Sequence, residues 1–289
     1  MFINYIVHIL IIVCIYLILT SSLQLTIWVA WLMNFWHIAF FALWSYTYAI
    51  LSKMWLPYEI VLLLSWISWF IGWFIVSLLT KKLKWDYLAL VTLWFSFLVY
   101  ALIINLKSLT WWSLGIAGIK KPVIFWFEMT NNIQFLVFSL ILLILSVLLI
   151  YRIIKSDYWR AIQWMRDNEL SMNVLWKNTY KMKIFVFTVS GFLAGIAWAL
   201  FASYSTYVDP SSFTISQFII LLSIVIIGGL WSLKGTILVG VILIVIPEIL
   251  RFVWLPVSLI WPLRQIIYSA VLILIMLIKP YWLFWKVKI

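Results

Sequence analysis

Apolar runs of about 18 residues or more recur along most of this chain, more than a water-soluble fold can bury. Each is long enough to cross a bilayer as a helix, since an α-helix rises about 1.5 Å per residue and the hydrocarbon core is about 30 Å thick. With 10% charged residues, 67% hydrophobic residues and a mean hydropathy of +1.17, the 289-residue chain lies outside the range of soluble domains. The expected fold is all-α: a polytopic membrane helix bundle of eight or nine spans. A single transmembrane domain over residues 1–289 is expected, carrying one long polar loop at 152–183.

The spans fall at about 3–20, 25–51, 58–79, 86–105, 133–151, 184–204, 216–233, 236–254 and 264–279. The first ends at Ser21 and Ser22, with a signal peptide as the competing reading, and the second is interrupted by Asn34 and His37. Twenty Lys+Arg against eight Asp+Glu give a net charge of +12, which in a membrane chain reflects basic cytoplasmic loops rather than nucleic-acid binding. The loop at 152–183 holds Arg152, Lys155, Arg160, Arg166, Lys177, Lys181 and Lys183 against Asp157, Asp167 and Glu169, which places it in the cytoplasm. Counting onward puts Asp209 and Pro210 outside, Lys234 inside, a loop from Val253 to Pro262 outside, and Lys279, Lys286 and Lys288 inside. Lys107, Lys120 and Lys121 then stand outside against the rule, and the side of the N-terminus stays open.

Chemistry of its own is not expected. Around Leu175-Trp176-Lys177-Asn178 the Ser/Thr that follows the lysine of a phosphate-binding loop is missing, and Ser171 stands where its first glycine should be. The lone Cys14 excludes an intrachain disulfide, and His8 and His37 form no ligand pattern, so no metal and no cofactor is expected. Polar groups at membrane depth are costly and mark pathways, which makes Asn34, His37, Thr92, Ser96 and Gln217 candidates for a solute path, with Glu248 near a span end. Each would equally serve to satisfy a neighbouring helix.

Within the basic loop, Arg160-Ala161-Ile162 and Met165-Arg166-Asp167-Asn168-Glu169-Leu170 space apolar residues among charges as a surface helix does. Three blocks are more telling: Trp159 to Leu170, Gly191-Phe192-Leu193-Ala194-Gly195, and Gly228-Gly229-Leu230-Trp231-Ser232-Leu233-Lys234-Gly235. With the upstream blocks Asn34 to Phe41, Trp85 to Trp94 and Leu109 to Ile116, they resemble the permease subunits of branched-chain amino acid ABC importers over roughly 25–285. The resemblance implies a coupling helix at 159–178 that contacts an ATPase through Arg160, Arg166, Asp167 and Glu169 and ends at Trp176. It also implies four kinds of partner: a second homologous permease subunit, two cytoplasmic ATP-binding subunits, an extracytoplasmic substrate-binding protein, and the lipid bilayer. Urea and amide importers, whose permeases look similar, are the alternative in the same architecture. An ion-coupled secondary carrier is the alternative from another class.

The chain holds 22 Trp and 9 Gly, an inversion of the usual ratio. At Trp36, Trp44, Trp85, Trp94, Trp111, Trp112, Trp159, Trp176, Trp198, Trp231, Trp282 and Trp285 the family it resembles has glycine. Trp66, Trp69 and Trp73, beside Ser65, Ser68 and Gly72, would form a small-residue helix face if they too were glycine. The expectation is that the source reads UGA as glycine, so that Trp36, Trp85, Trp94 and Trp231 are structural glycine positions like Gly195, Gly228, Gly229 and Gly235.

Overall fold

The computed structural model describes residues 2–30, 36–54, 60, 64, 85–106, 114–119, 123–124, 127–128, 131–229, 232–250 and 257–278. Helices dominate them. Helix α1 (Phe2–Ala30) is followed by α2 (Trp36–Lys53) and α3 (Trp85–Asn105), then by α4 (Asn132–Ile154) and two short helices, α5 (Asp157–Asp167) and α6 (Glu169–Val174). The chain continues through α7 (Thr179–Ser205), a 3-10 turn at Pro210–Phe213, α8 (Ile215–Gly228), α9 (Leu233–Leu250) and α10 (Val257–Ile278). Three helical segments, Ile3–Ile27, Asn132–Ile154 and Thr179–Ser205, are long and apolar enough to span a bilayer. The expected all-α membrane bundle is what forms.

The helix starts follow local chemistry. Asn131 caps α4 in a reciprocal box with Gln134, Ser156 Oγ accepts from the Trp159 amide at the start of α5, and Asn178 Oδ1 accepts from the Lys181 amide at the start of α7. Helix α1 does not stop at Ser21 and Ser22, as the sequence led us to expect. The Thr20, Ser21 and Ser22 hydroxyls donate to the carbonyls of Leu17, Ile18 and Leu19 at 3.2, 2.9 and 2.7 Å, so their polarity is met inside the helix and breaks nothing. Nor is the stretch up to Pro262 all loop. Helix α10 begins at Val257 with Pro262 inside it, where the missing N–H weakens one turn of an otherwise apolar helix. The span expected at 58–79 lies outside the described residues apart from residues 60 and 64.

Helix α1 forms the axis of the bundle and packs against α7, α4, α9 and α8. Its two ends are distinguished by what they touch. Leu25 joins a buried cluster with Trp159, Ile162 and Met165 of α5, whereas His8, near the other end, has its Nδ1 2.6 Å from the Tyr204 hydroxyl at the end of α7. The first residues of α1 therefore lie at the end opposite the basic helices, which settles their side relative to that loop. At that opposite end, strand β1 (Ile116–Ala117) pairs antiparallel with the strand at Tyr207–Val208, with Ile116 across from Val208. A second short pair joins Val123–Ile124 to Phe127–Glu128. On α4, Val137, Leu140, Ile141, Ile144, Leu145 and Leu148 are all exposed, the outward apolar face that a lipid solvent demands.

Candidate functional site

The first candidate region is the pair of short helices at the basic end. In α5, Trp159, Ile162 and Met165 repeat at helical spacing and are buried. They pack on Leu25 of α1, Ile150 of α4, and Met182 and Val186 of α7, so α5 is fixed to three long helices at once. The single helix expected over 159–178 is in fact two. Asn168 leaves the helical region at φ −153° and ψ 95°, and its Oδ1 accepts from the Ser171 amide at 3.0 Å, starting α6 on a new axis. At the far end of α6, Trp176 takes φ +56° and the Lys177 amide bonds the Met172 carbonyl at 3.1 Å, the pattern that closes helices at a left-handed residue. Trp176 is 97% exposed.

The charges of this region divide into two sets. Lys183 Nζ lies 2.6 Å from Glu169 Oε1 with both side chains largely covered, and the Arg166 guanidinium meets Asp167 Oδ1 at 2.7 Å with its own side chain buried. By contrast, the Arg160–Asp157 pair at 3.0 Å is open to solvent and contributes little. Of the five residues expected to face a partner, Arg160, Asp167 and Trp176 are on the surface, Glu169 is held to α7 by Lys183, and the covered Arg166 pairs with its neighbour Asp167. Two residues of consequence were not among the expected partner contacts: Lys183, counted only as a loop charge and here the covered partner of Glu169, and Trp164, an exposed indole on the open face of α5. The spacing of buried positions in α5 places Trp164 off the docked stripe, a signal available in the sequence. Tyr158 packs edge-on to Phe185 with ring centroids 5.1 Å apart, and burial pushes its phenol above the ordinary range, so it stays neutral at any working pH. Glu169→Gln should loosen α6 by about 1.5 to 3 kcal/mol, the usual worth of a hydrogen bond to a charged group. Faster amide exchange over residues 169–177 in the variant is the measurement that checks it.

The described residues among those expected to line a path stand at separate places in the bundle. Asn34 lies outside the described residues. His37 is buried with Nε2 2.8 Å from Ser22 Oγ, a pairing of α2 to α1. Thr92 donates to the Ala89 carbonyl at 2.7 Å and Ser96 to the Thr92 carbonyl at 3.0 Å. Ser96 also borders a cavity of about 290 Å³ between α3 and the start of α8, whose wall includes Phe97, Tyr100, Phe213, Thr214, Ser216 and Phe218. Gln217 faces a different cavity of about 160 Å³ with Tyr16, Glu248, Gln265 and Tyr268, and Tyr5 donates to Glu248 Oε2 at 3.0 Å. No group of three or more His, Cys, Asp or Glu capable of holding a metal occurs among the described residues.

The described glycine-type positions differ in how closely they are packed. Gly195 lies under the Trp44 indole, where an added Cβ would stand 3.5 Å from the ring. A Cβ at Gly228 would fall 2.5 Å from Thr236 Cα, Gly229 has φ +89° at the end of α8, and the Gly235 amide donates to Ser232 Oγ at 3.0 Å in the first turn of α9. Trp94 is 70% exposed on α3, while Trp198 is buried against Phe41 with Phe201 and Phe213 around it, and its indole N–H has no hydrogen-bond partner. Trp36 and Trp85 open α2 and α3, with their side chains outside the described set. Trp231, Trp111, Trp112, Trp282 and Trp285, and the face at Trp66, Trp69 and Trp73, lie outside the described residues.

Comparison with known proteins bears on most of the chain. It is similar to the high-affinity branched-chain amino acid transport system permease protein LivM of Salmonella typhimurium, at 29% identity over 82% of this chain and 61% of that protein. The LivM protein of Escherichia coli gives the same identity and the same coverage. The chain thus spans about three-fifths of the length of the curated relatives it matches. No solved structure matches it. A family model described as the branched-chain amino acid transport system permease component matches residues 5–278, and to that family of multi-pass membrane proteins this chain belongs.

Proposed function

We propose that this chain is the transmembrane permease of an ABC importer that carries branched-chain amino acids, paired with a second permease and driven by two ATPase subunits. The observation that carries the reading is the family match over residues 5–278, and the docked pair α5 and α6 supports it. The positive-inside rule puts this end in the cytoplasm, with seven basic residues between 152 and 183. There the open face of α5 and α6, with Arg160, Trp164, Asp167 and Trp176, meets the ATPase. Glu169 and Lys183 hold that face in place from behind. ATP chemistry belongs to the partner, and an extracytoplasmic binding protein delivers the solute at the opposite end, near Tyr207 and Asp209. The whole chain acts as one permease domain in the cell membrane of a prokaryote.

Uptake of labelled leucine by the complex reconstituted with its ATPase and binding-protein partners tests the reading. Trp164→Ala combined with Arg160→Glu should reduce ATPase recovery with the permease by about tenfold, since buried interface aromatics and arginines carry most binding energy. Membrane insertion should be unchanged, because both side chains are exposed. Full recovery and full uptake in that double variant would remove the assignment of this face.

A further inference from the structure

The cavity between α3 and the first turn of α8 lies at a break in the helical path. Helix α8 has 14 residues and so reaches only about 21 Å, less than the roughly 30 Å of hydrocarbon it would have to cross. Immediately before it stand the 3-10 turn Pro210–Phe213 and the extended Thr214. Phe213, the last residue of the 3-10 turn, is buried against Phe41, Tyr46 and Trp198, so this stretch dips into the body of the bundle. Irregular backbone at membrane depth is stable only where it is covered by protein or lines a cavity. Here it lines one.

The wall of that cavity has two characters. Ile38, Phe97, Phe213, Ile215 and Phe218 give apolar surface, whereas Ser96, Tyr100, Thr214 and Ser216 give hydroxyls, and no charged side chain is among the described lining residues. Thr214 precedes α8 without capping it through its side chain. Two other cavities among the described residues differ. One is bordered by His8 with Asn131 and Asn132, and the other is smaller and contains Glu248, whose charge would oppose a carboxylate. At about 290 Å³ the hydroxyl-edged cavity matches the lower end of small-molecule sites, which run from roughly 300 to 1,000 Å³.

We infer that this cavity is a solute station within the membrane, and that it takes small aliphatic solutes with no net charge. The inference rests on the importer reading and adds to it the place where selection occurs inside the permease. Aliphatic side chains sit against the three phenylalanines, while the polar ends of a zwitterion face the hydroxyls. A solute with a net charge finds no counter-charge there, and an unpaired charge at membrane depth is strongly disfavoured. Discrimination among leucine, isoleucine and valine is limited, because leucine and isoleucine are isomers and valine lacks one methylene, a difference that an apolar pocket resolves by only about 10- to 200-fold.

The test uses the complex reconstituted with its partner subunits, with uptake of leucine, phenylalanine, urea, lysine and aspartate measured side by side. Ser216→Leu, which fills the cavity, should lower leucine uptake by at least about tenfold while the complex is recovered in normal yield. Phe97→Ala, at a half-exposed position that folding tolerates, should raise the phenylalanine-to-leucine uptake ratio by about tenfold. An unchanged ratio in Phe97→Ala overturns the station, even where Ser216→Leu assembles poorly, and wild-type leucine uptake in Ser216→Leu does the same. Either result leaves the importer reading standing. Wild-type uptake of urea alone, blocked by Ser216→Leu, keeps the station and overturns the amino-acid reading. Uptake of lysine or aspartate as fast as leucine overturns the charge selection.

Discussion

Replacing Gly228 by alanine is expected to cost at least about 2 kcal/mol and to lower the yield of folded permease sharply. The added Cβ would lie 2.5 Å from Thr236 Cα and 2.7 Å from its amide nitrogen, and backbone atoms cannot rotate aside. Only a separation of α8 from α9 relieves the contact. Gly240 is the informative comparison, because its Cβ would meet the tip of Leu17 at 2.6 Å, a flexible end that can turn. Gly240→Ala should therefore be distinctly milder. Unfolding midpoints of the two variants in detergent give the ordering, and equal midpoints would show that the α8–α9 turn yields more easily than its geometry implies.

The second large effect concerns the tryptophans. A side chain in the left-handed region costs about 1 to 2 kcal/mol, and Trp176 occupies it at φ +56°. Trp198 crowds Phe41 in the core, and a buried donor without a partner costs about 1 to 3 kcal/mol. We propose that both positions are glycine in the source, through UGA read as glycine. Peptide mass spectra of the native protein should then show glycine at both sites. In the chain as written, Trp176→Gly alone should stabilise α6 by about 1 kcal/mol, visible as slower exchange over residues 169–177. Tryptophan in the native peptides would end the decoding proposal.

The architecture was legible because long apolar runs admit few alternatives, and the family blocks from Trp159 to Gly235 fixed their order. Helix boundaries were less so. Ser21 and Ser22 look like a break in one dimension, yet their hydroxyls are satisfied within α1 itself. The division of charges at the basic end was not legible either. Asp157 and Glu169 are both loop acids in the sequence, and only the folded position of Lys183 turns Glu169 inward while Asp157 stays open to solvent. Ser96 could be named from its polarity in an apolar run. Tyr100, Thr214 and Ser216 could not, because the cavity that unites them with Ser96 arises from the meeting of α3 with the turn before α8.

The uninterrupted course of α1 has a mechanical consequence. At 29 residues it is a rod about 44 Å long, held by Leu25 to α5 at one end and by Tyr5 to Glu248 at the other. A rod without a joint cannot absorb a displacement along its length. A push delivered to the short helices at the basic end tilts α1 as a whole, and its opposite tip swings with it. Under the importer proposal, a displacement of the short helices at the basic end reaches the end that carries Tyr5 and His8 through α1 itself.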